Sequence, residues 1–268
     1  MAVITWDNIG EHLYETGVKH GVLYPSLGTV VAFSSSSAYS KGDIVTNNGK
    51  KYIATKDIEA GEFTVADWTE YKSDYAKGVA WNGLTAYTES PSGAEETALY
   101  ADDIKYLSLR SAEQFGATIE AYTYPEEWGR CDGSEIVADG VTLGQQSRKS
   151  FGFCVSTVVG NDSDGNDHGE KIHIVYGGTA SPSERAYQTI NDSPEAITFS
   201  WEVTTTPIAV GVLDGQVEKY KPVANITIDS TKCDPTKLAT LKGMLYGTAD
   251  KDAYLPTPKA IYDLFTGE

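Results

Sequence analysis

The sequence predicts a mainly β protein carrying a small inserted β module and two C-terminal helices. Three observations predict it. Apolar and polar residues alternate with period two in at least five stretches, the mark of strands with one covered face. Helical spacing is confined to a few short segments, one between strands at 183–191 and two near the end of the chain. The chain has 268 residues, 40% of them hydrophobic and 11% aromatic, which is enough to bury a sizeable core and is not the composition of a disordered chain.

Residues 1–28 (MAVITWDNIGEHLYETGVKHGVLYPSLG) have no basic start and no apolar core, so they do not read as a signal peptide. No run approaches the roughly 18 apolar residues of a membrane span. The chain is therefore expected to fold in the cytoplasm of the producing cell, without a membrane partner.

Residues 29–76 read as a separate small module. A serine tract at 34–37 looks flexible. Two short strands at 43–46 and 51–55 flank Asn48-Gly49, a strong signal for a tight hairpin. Trp68 and Tyr71 are placed to cover that hairpin. This leaves residues 1–28 as an N-terminal arm, and 77–268 as the bulk, of one larger domain.

In the larger domain Phe115, Ala117, Ile119 and Ala121 alternate with polar residues. Phe151, Phe153, Val155, Thr157 and Val159 do the same, as do Ile172, Ile174 and Tyr176. These last two runs form a long hairpin with a solvated tip rich in glycine and acids. Residues 183–191 (SERAYQTIN) read as a short helix between strands. Ile197, Phe199, Trp201 and Val203 mark another strand, and 223–229 (VANITID) one more. Asp234-Pro235 caps and starts a helix with Leu238, Leu241 and Leu245 on one face and Gly247 as its stop. Thr257-Pro258 starts a second, with Ile261, Leu264 and Phe265, ended by Gly267. Both helices are expected at sheet edges or against neighbouring subunits.

Chemistry finds little purchase. Cys131, Cys154 and Cys233 are odd in number and scattered, so neither a disulfide framework nor a zinc site is expected. The four histidines, His12, His20, His168 and His173, lack metal-binding spacing, and His173 lies mid-strand. There is no GxSxG and no phosphate-binding GxxxxGK[ST]. Asp162, Asp164 and Asn166 alternate like the start of an EF-hand loop, but the sixth position is Asp167 instead of glycine and Glu170 comes too early to close the loop. A calcium site from Asp162, Asp164, Asn166 and Asp167 is thus the weaker reading, and a metal-dependent hydrolase built on that loop weaker still. No catalytic residue and no cofactor is expected. Tyr39, Tyr52, Trp68 and Tyr71 are aromatic residues on a small scaffold, and Tyr39, Trp68 and Tyr71 are candidates for stacking on sugar rings; the plainer reading, that so small a module needs its rings as core, is favoured for Tyr52 and extends to Trp68, and leaves Tyr39 and Tyr71 open.

Several ordered stretches carry a more specific signal: ETGVKHGVLYP, KGVAWNGLTAYTESPSGAEETALYADDIKYLSLRSAEQFGATIEAYTYPEEW, GQQSRKSFGFCVSTVVGND, YGGTASPSERAYQTINDSPEAITFSWEVTTTP, and IDSTKCDPTKLATLKGMLYG followed by LPTPKAIYDLF. Together they resemble the major tail proteins, the tube subunits, of siphovirus-type phages of Gram-positive bacteria, over residues 1–28 and about 77–268. The resemblance implies a β-sandwich or barrel with a short flanking helix and long hairpins reaching neighbours. It implies hexameric rings stacked into a tube, with a tape-measure protein and then DNA in the lumen. Tail terminator and distal tail proteins would sit at the ends, in a virion tail assembled in the host cytoplasm. Asn161, Asp162, Asp164, Asp167 and Glu170, at the tip of the long hairpin, are the candidate assembly contacts. The module interrupts the family pattern and is similar to small chitin-binding-type carbohydrate-binding modules, which implies cell-surface glycans as a further partner.

The net charge of −17 belongs mostly to the tube-like part. Residues 38–75 hold five lysines and seven acids and so contribute −2, which leaves −15 for the rest. A protein that grips nucleic-acid phosphates should be basic; this one should repel them, as the wall of a conduit would.

Overall fold

The computed structural model describes residues 8–190 and 196–267. It is mainly β, with 44% of residues in strands and 11% in helices. After β1 (Tyr14–Pro25) comes the module with β2 (Ile44–Asn47), β3 (Lys50–Ala54) and β4 (Trp68–Glu70). The larger domain continues with β5 (Val79–Trp81), β6 (Leu84–Glu89), β7 (Glu96–Ala101), β8 (Ile104–Arg110) and β9 (Gly116–Ala121). Helix α1 (Trp128–Asp132) precedes β10 (Glu135–Ala138), β11 (Val141–Leu143), β12 (Phe151–Asn161) and β13 (Gly165–Ala180). Then follow β14 (Phe199–Thr205), β15 (Leu213–Asp214), β16 (Val217–Glu218), β17 (Asn225–Asp229), α2 (Pro235–Tyr246) and α3 (Pro258–Thr266).

One antiparallel sheet organises the larger domain in the order β5-β1-β12-β13-β14-β9-β6, with β17 also paired to β13. Its two end strands, β5 and β6, are separated in sequence by Asn82-Gly83 alone, so the sheet must curl back on itself. Gly21 of β1 shows how closely: a Cβ there would come within 2.3 Å of Leu84 on β6. A side chain here would push Leu84 aside, so glycine suits the place where the curl brings these strands together.

The curled sheet has a core on each face. Inside lie Trp81, Trp128, Trp201, Phe151 and Phe153, with ring centroids of the three tryptophans 4.6 to 5.5 Å apart. Outside, Val22, Tyr24, Ile172, Ile174 and Tyr176 meet Leu238, Leu241 and Leu245 of α2 and Ile261 of α3. The caps work as the sequence predicts: Asp234 Oδ1 accepts from the amides of Thr236 and Lys237, and Thr257 Oγ1 from that of Ala260. The helices cover the sheet's face, however, and not its edges, because their leucines match the outward residues of β13 in the sheet centre. For the same reason β12 is buried over nearly its whole length, where the alternation predicted one covered face.

Two further expectations are corrected. Residues 183–190 form no helix, and Asn191 lies outside the described residues. Among the described residues nothing covers Tyr187 and Ile190, which are 75% and 84% exposed, and so short a helix without a packed face is unstable. The segment is pinned instead by Arg185, paired with Asp132 and stacked on Tyr124 and Phe199. The serine tract at 34–37 is a hydrogen-bonded turn, with Ser37 N donating to Ser34 O at 3.2 Å and Ser34 N to Tyr39 Oη at 2.7 Å.

The module folds as predicted around the β2–β3 hairpin. Asn48 and Gly49 both have positive φ, 49° and 76°, as a tight hairpin turn with the strands' own twist requires. Its core is Val45, Ala54 and Trp68, ringed by Phe33, Tyr39 and Phe63. The module leaves the larger domain between the paired strands β1 and β5, and its two ends meet at the Ser26–Tyr75 bridge.

Candidate assembly surface

The β6–β9 ladder does not end at the rim of the larger domain. Beyond the Ser92–Gln114 bridge it continues as the β7–β8 ribbon. Gly93 sets the change of direction: its φ is +86°, and a Cβ would lie 2.4 Å from the carbonyl oxygen of Ala112. At the far end Asp102 and Asp103, with φ of 51° and 62°, make a two-residue turn without glycine. Aspartate tolerates this left-handed conformation better than most residues.

Register divides the ribbon into two faces. Thr97 pairs with Leu109, Leu99 with Leu107 and Ala101 with Ile104, so these six share one side. Glu96, paired with Arg110, lies on the other and receives hydrogen bonds from Lys105 and Ser108. The bond from Lys105 and then that from Ser108 hold the Glu96 carboxyl below its ordinary range. The polar face is thus satisfied within the ribbon, while the apolar face is open: Leu107 is 37% exposed, Leu109 55% and Ile104 64%. Smaller apolar protrusions occur at β10–β11 (Ile136, Val137, Val141, Leu143) and β15–β16 (Leu213, Val217). The ribbon is not among the strands expected from sequence, although its signal is there: Thr97, Leu99, Leu107 and Leu109 keep period two on either side of an Asp-Asp turn.

The predicted acidic hairpin exists, with the β12–β13 ladder closing at Asn161 and Gly165. Its tip turns inward to its own N-terminal segment. Asp162 accepts from Gly10 N at 2.9 Å and lies 3.0 Å from His12 Nδ1, and the hydrogen bond from His12 keeps its carboxyl below the usual range. Asn161 Oδ1 accepts from the amides of Ser163 and Asp164, while Asp164 meets His168 Nδ1 at 3.1 Å. Asn166 accepts from Tyr14 Oη. Asp167 follows in the first residues of β13 and is exposed. Glu170 is not at the tip: it lies further along β13, facing Lys242 of α2 and Lys19. The carboxylates diverge to separate partners, and no group of three or more potential metal ligands is found among the described residues.

The three module aromatics do not share an exposed platform. Trp68 is 5% exposed, inside the module core. Tyr39 stacks on Phe33, its hydroxyl bonded to Ser34. The Tyr71 hydroxyl donates to Tyr75 O, and burial pushes it up to about 12. His173 is held between Thr157 Oγ1 and Glu89 Oε1, each at 3.0 Å, as a satisfied residue of the inner face.

On the helix side, β17 pairs with β13 on one side and, among the described residues, with no strand on the other. Beside it an open groove of about 340 Å³ runs against α3, floored by Ile226, Ile228, Ile261, Phe265 and Cys233.

No protein-family model matches the chain, and no curated protein matches it either. No helix among the described residues is long and apolar enough to cross a membrane.

Proposed function

We propose that this chain is a structural subunit that assembles into hexameric rings stacked as a phage tail tube, a conduit for DNA in the virion tail, and that it has no catalytic role. The observation that carries this reading is the β7–β8 ribbon, a strand pair with one apolar face that its own chain leaves uncovered. A two-stranded ribbon is marginal alone, and a contiguous apolar face of this kind marks a protein contact. The curled sheet suits a wall element, and a charge of −15 outside the module suits a lumen that repels phosphate. The tape-measure protein inside the tube, and the terminator and distal proteins at its ends, belong to the same proposal.

The module supports an accessory reading beside the first. It has its own core and joins the larger domain through two adjacent chain ends, which suits a glycan-binding decoration on the tube exterior. Electron microscopy of the concentrated protein tests both: hollow six-fold tubes with external knobs are expected. Monomers under every condition would refute the tube.

A further inference from the structure

We propose that the groove between β17 and α3 receives the β7–β8 ribbon of a second copy of this chain, with β8 adding to the free edge of β17. This rests on the self-assembly reading and names the contact that reading lacks.

The two surfaces have matching deficits. On the groove side, β17 presents backbone donors and acceptors with no strand of the described residues beside them, above a floor of Ile226, Ile228, Ile261 and Phe265. Such an edge takes an added strand, with main-chain hydrogen bonds giving affinity and the apolar floor giving register. On the ribbon side, β8 pairs among the described residues only with β7, and Leu107 and Leu109 project from it at the period of two that floor demands. The groove lining carries Lys232, ion-paired with Asp229 at 3.3 Å yet with its side chain 77% exposed, and the ribbon ends in the acidic pair Asp102-Asp103.

The apolar face of the ribbon can supply part of an interface. The exposed fractions of Leu99, Leu107, Leu109 and Ile104 sum to about two aliphatic side chains, roughly 120–240 Å² of open apolar area. That is about a quarter to a half of the roughly 450 Å² of apolar area on one side of a standard interface. The ribbon leaves the sheet at the β6–β9 end, whereas the groove lies on the helix-covered face beside β13. The two patches are different surfaces of one molecule, so the contact is head-to-tail and propagates into a ring or a stack.

The native thiol in the groove supplies the test. Cys233 is partly exposed, while Cys131 and Cys154 are fully buried and cannot compete. In full-length protein carrying Leu107→Cys, or independently Leu109→Cys, mild oxidation of the concentrated sample should give an intermolecular disulfide to Cys233, mapped by mass spectrometry. Ser108→Cys, on the opposite face, should give at least fivefold less. Lys232→Glu added to Leu107→Cys should lower the yield about two- to fivefold, the range for an exposed ion pair. Tubes in the microscope without a Cys233 cross-link from either leucine position would overturn this docking and leave the tube reading standing. Equal yields from Leu107→Cys and Ser108→Cys would also overturn it. Monomers with no cross-link would overturn both.

Discussion

Replacing Leu107 and Leu109 together by threonine separates the chain's own stability from its assembly. Threonine keeps the β preference of the ribbon while removing most of its apolar surface. In the monomer both leucines lie on a free-standing ribbon, 37% and 55% exposed. The substitutions should therefore stay near the ±0.5 kcal/mol of surface changes and move Tm by no more than about 2 °C. In the assembly the same leucines become covered. Their exposed fractions sum to about one full side chain, worth about 1.5–3 kcal/mol per contact. The concentration needed for assembly should rise roughly ten- to a hundredfold, since each 1.4 kcal/mol is a factor of ten. Light scattering against protein concentration reads the threshold, and thermal unfolding of the dilute protein reads the monomer. An unchanged threshold would show that the ribbon makes no subunit contact. A fall in monomer Tm of 5 °C or more would show that its apolar face is already part of a core.

Four other outcomes follow from the packing. Trp128→Ala empties the centre of the inner core, where the ring is fully buried, and should cost about 3–5 kcal/mol in urea unfolding; a loss under 1 kcal/mol would mean the tryptophan cluster is not a packed core. Burial pushes the Cys131 and Cys154 thiols up to about 12, so at pH 8 one thiol, Cys233, should react well ahead of the others with a disulfide reagent, and all three should react in denaturant; two fast thiols in native protein would contradict the burial of Cys131 and Cys154. Because Cys154, Tyr24 and Tyr176 are held neutral by burial, the unfolded chain releases their protons from about pH 9 to 10 while the native state keeps them. Stability is then full below pH 9 and falls above it, by about 2 kcal/mol at pH 10.5 from Cys154 alone; a urea midpoint equal at pH 8 and 10.5 would refute this. Finally, exchanging residues 28–72 for a two-residue turn should leave the larger domain folded, because Ser26 and Tyr75 are already bridged and Ser73, which bonds Leu255 O, is retained; loss of its cooperative unfolding would show that the module is structural.

Much of the fold is legible in the sequence because local signals and tertiary context agree. The Asn48-Gly49 turn, the Asp234 and Thr257 caps and the alternation at Ile119 and Trp201 each specify local geometry that packing then uses. The failures have one cause, which is that pattern does not say what lies on the far side of an element. β12 alternates like a half-buried strand, yet α2 and α3 bring a second apolar layer to its other face. Residues 183–190 have helical spacing and no surface to pack against, so the Arg185 contacts decide their path.

The same limit explains the candidate sites. Acids crowded between two strands draw attention as a metal or contact loop, and only three-dimensional placement reveals that Asp162 and Asn166 are taken by Gly10, His12 and Tyr14 of the same chain. Trp68 and Tyr71 read both as hairpin cover and as sugar-stacking candidates, because aromatic type alone does not distinguish a platform from a core; burial does, and at 5% exposure Trp68 is core. A test of glycan binding by Trp68→Ala would therefore confuse loss of a ligand contact with loss of the module. The β7–β8 ribbon is the converse case. Its alternation is ordinary, and it becomes informative only when the structure leaves its leucines uncovered while comparable leucines in α2 are buried. An assembly surface is defined by this mismatch between pattern and burial, so it is read where the sequence asks for a partner that the fold of a single chain does not provide.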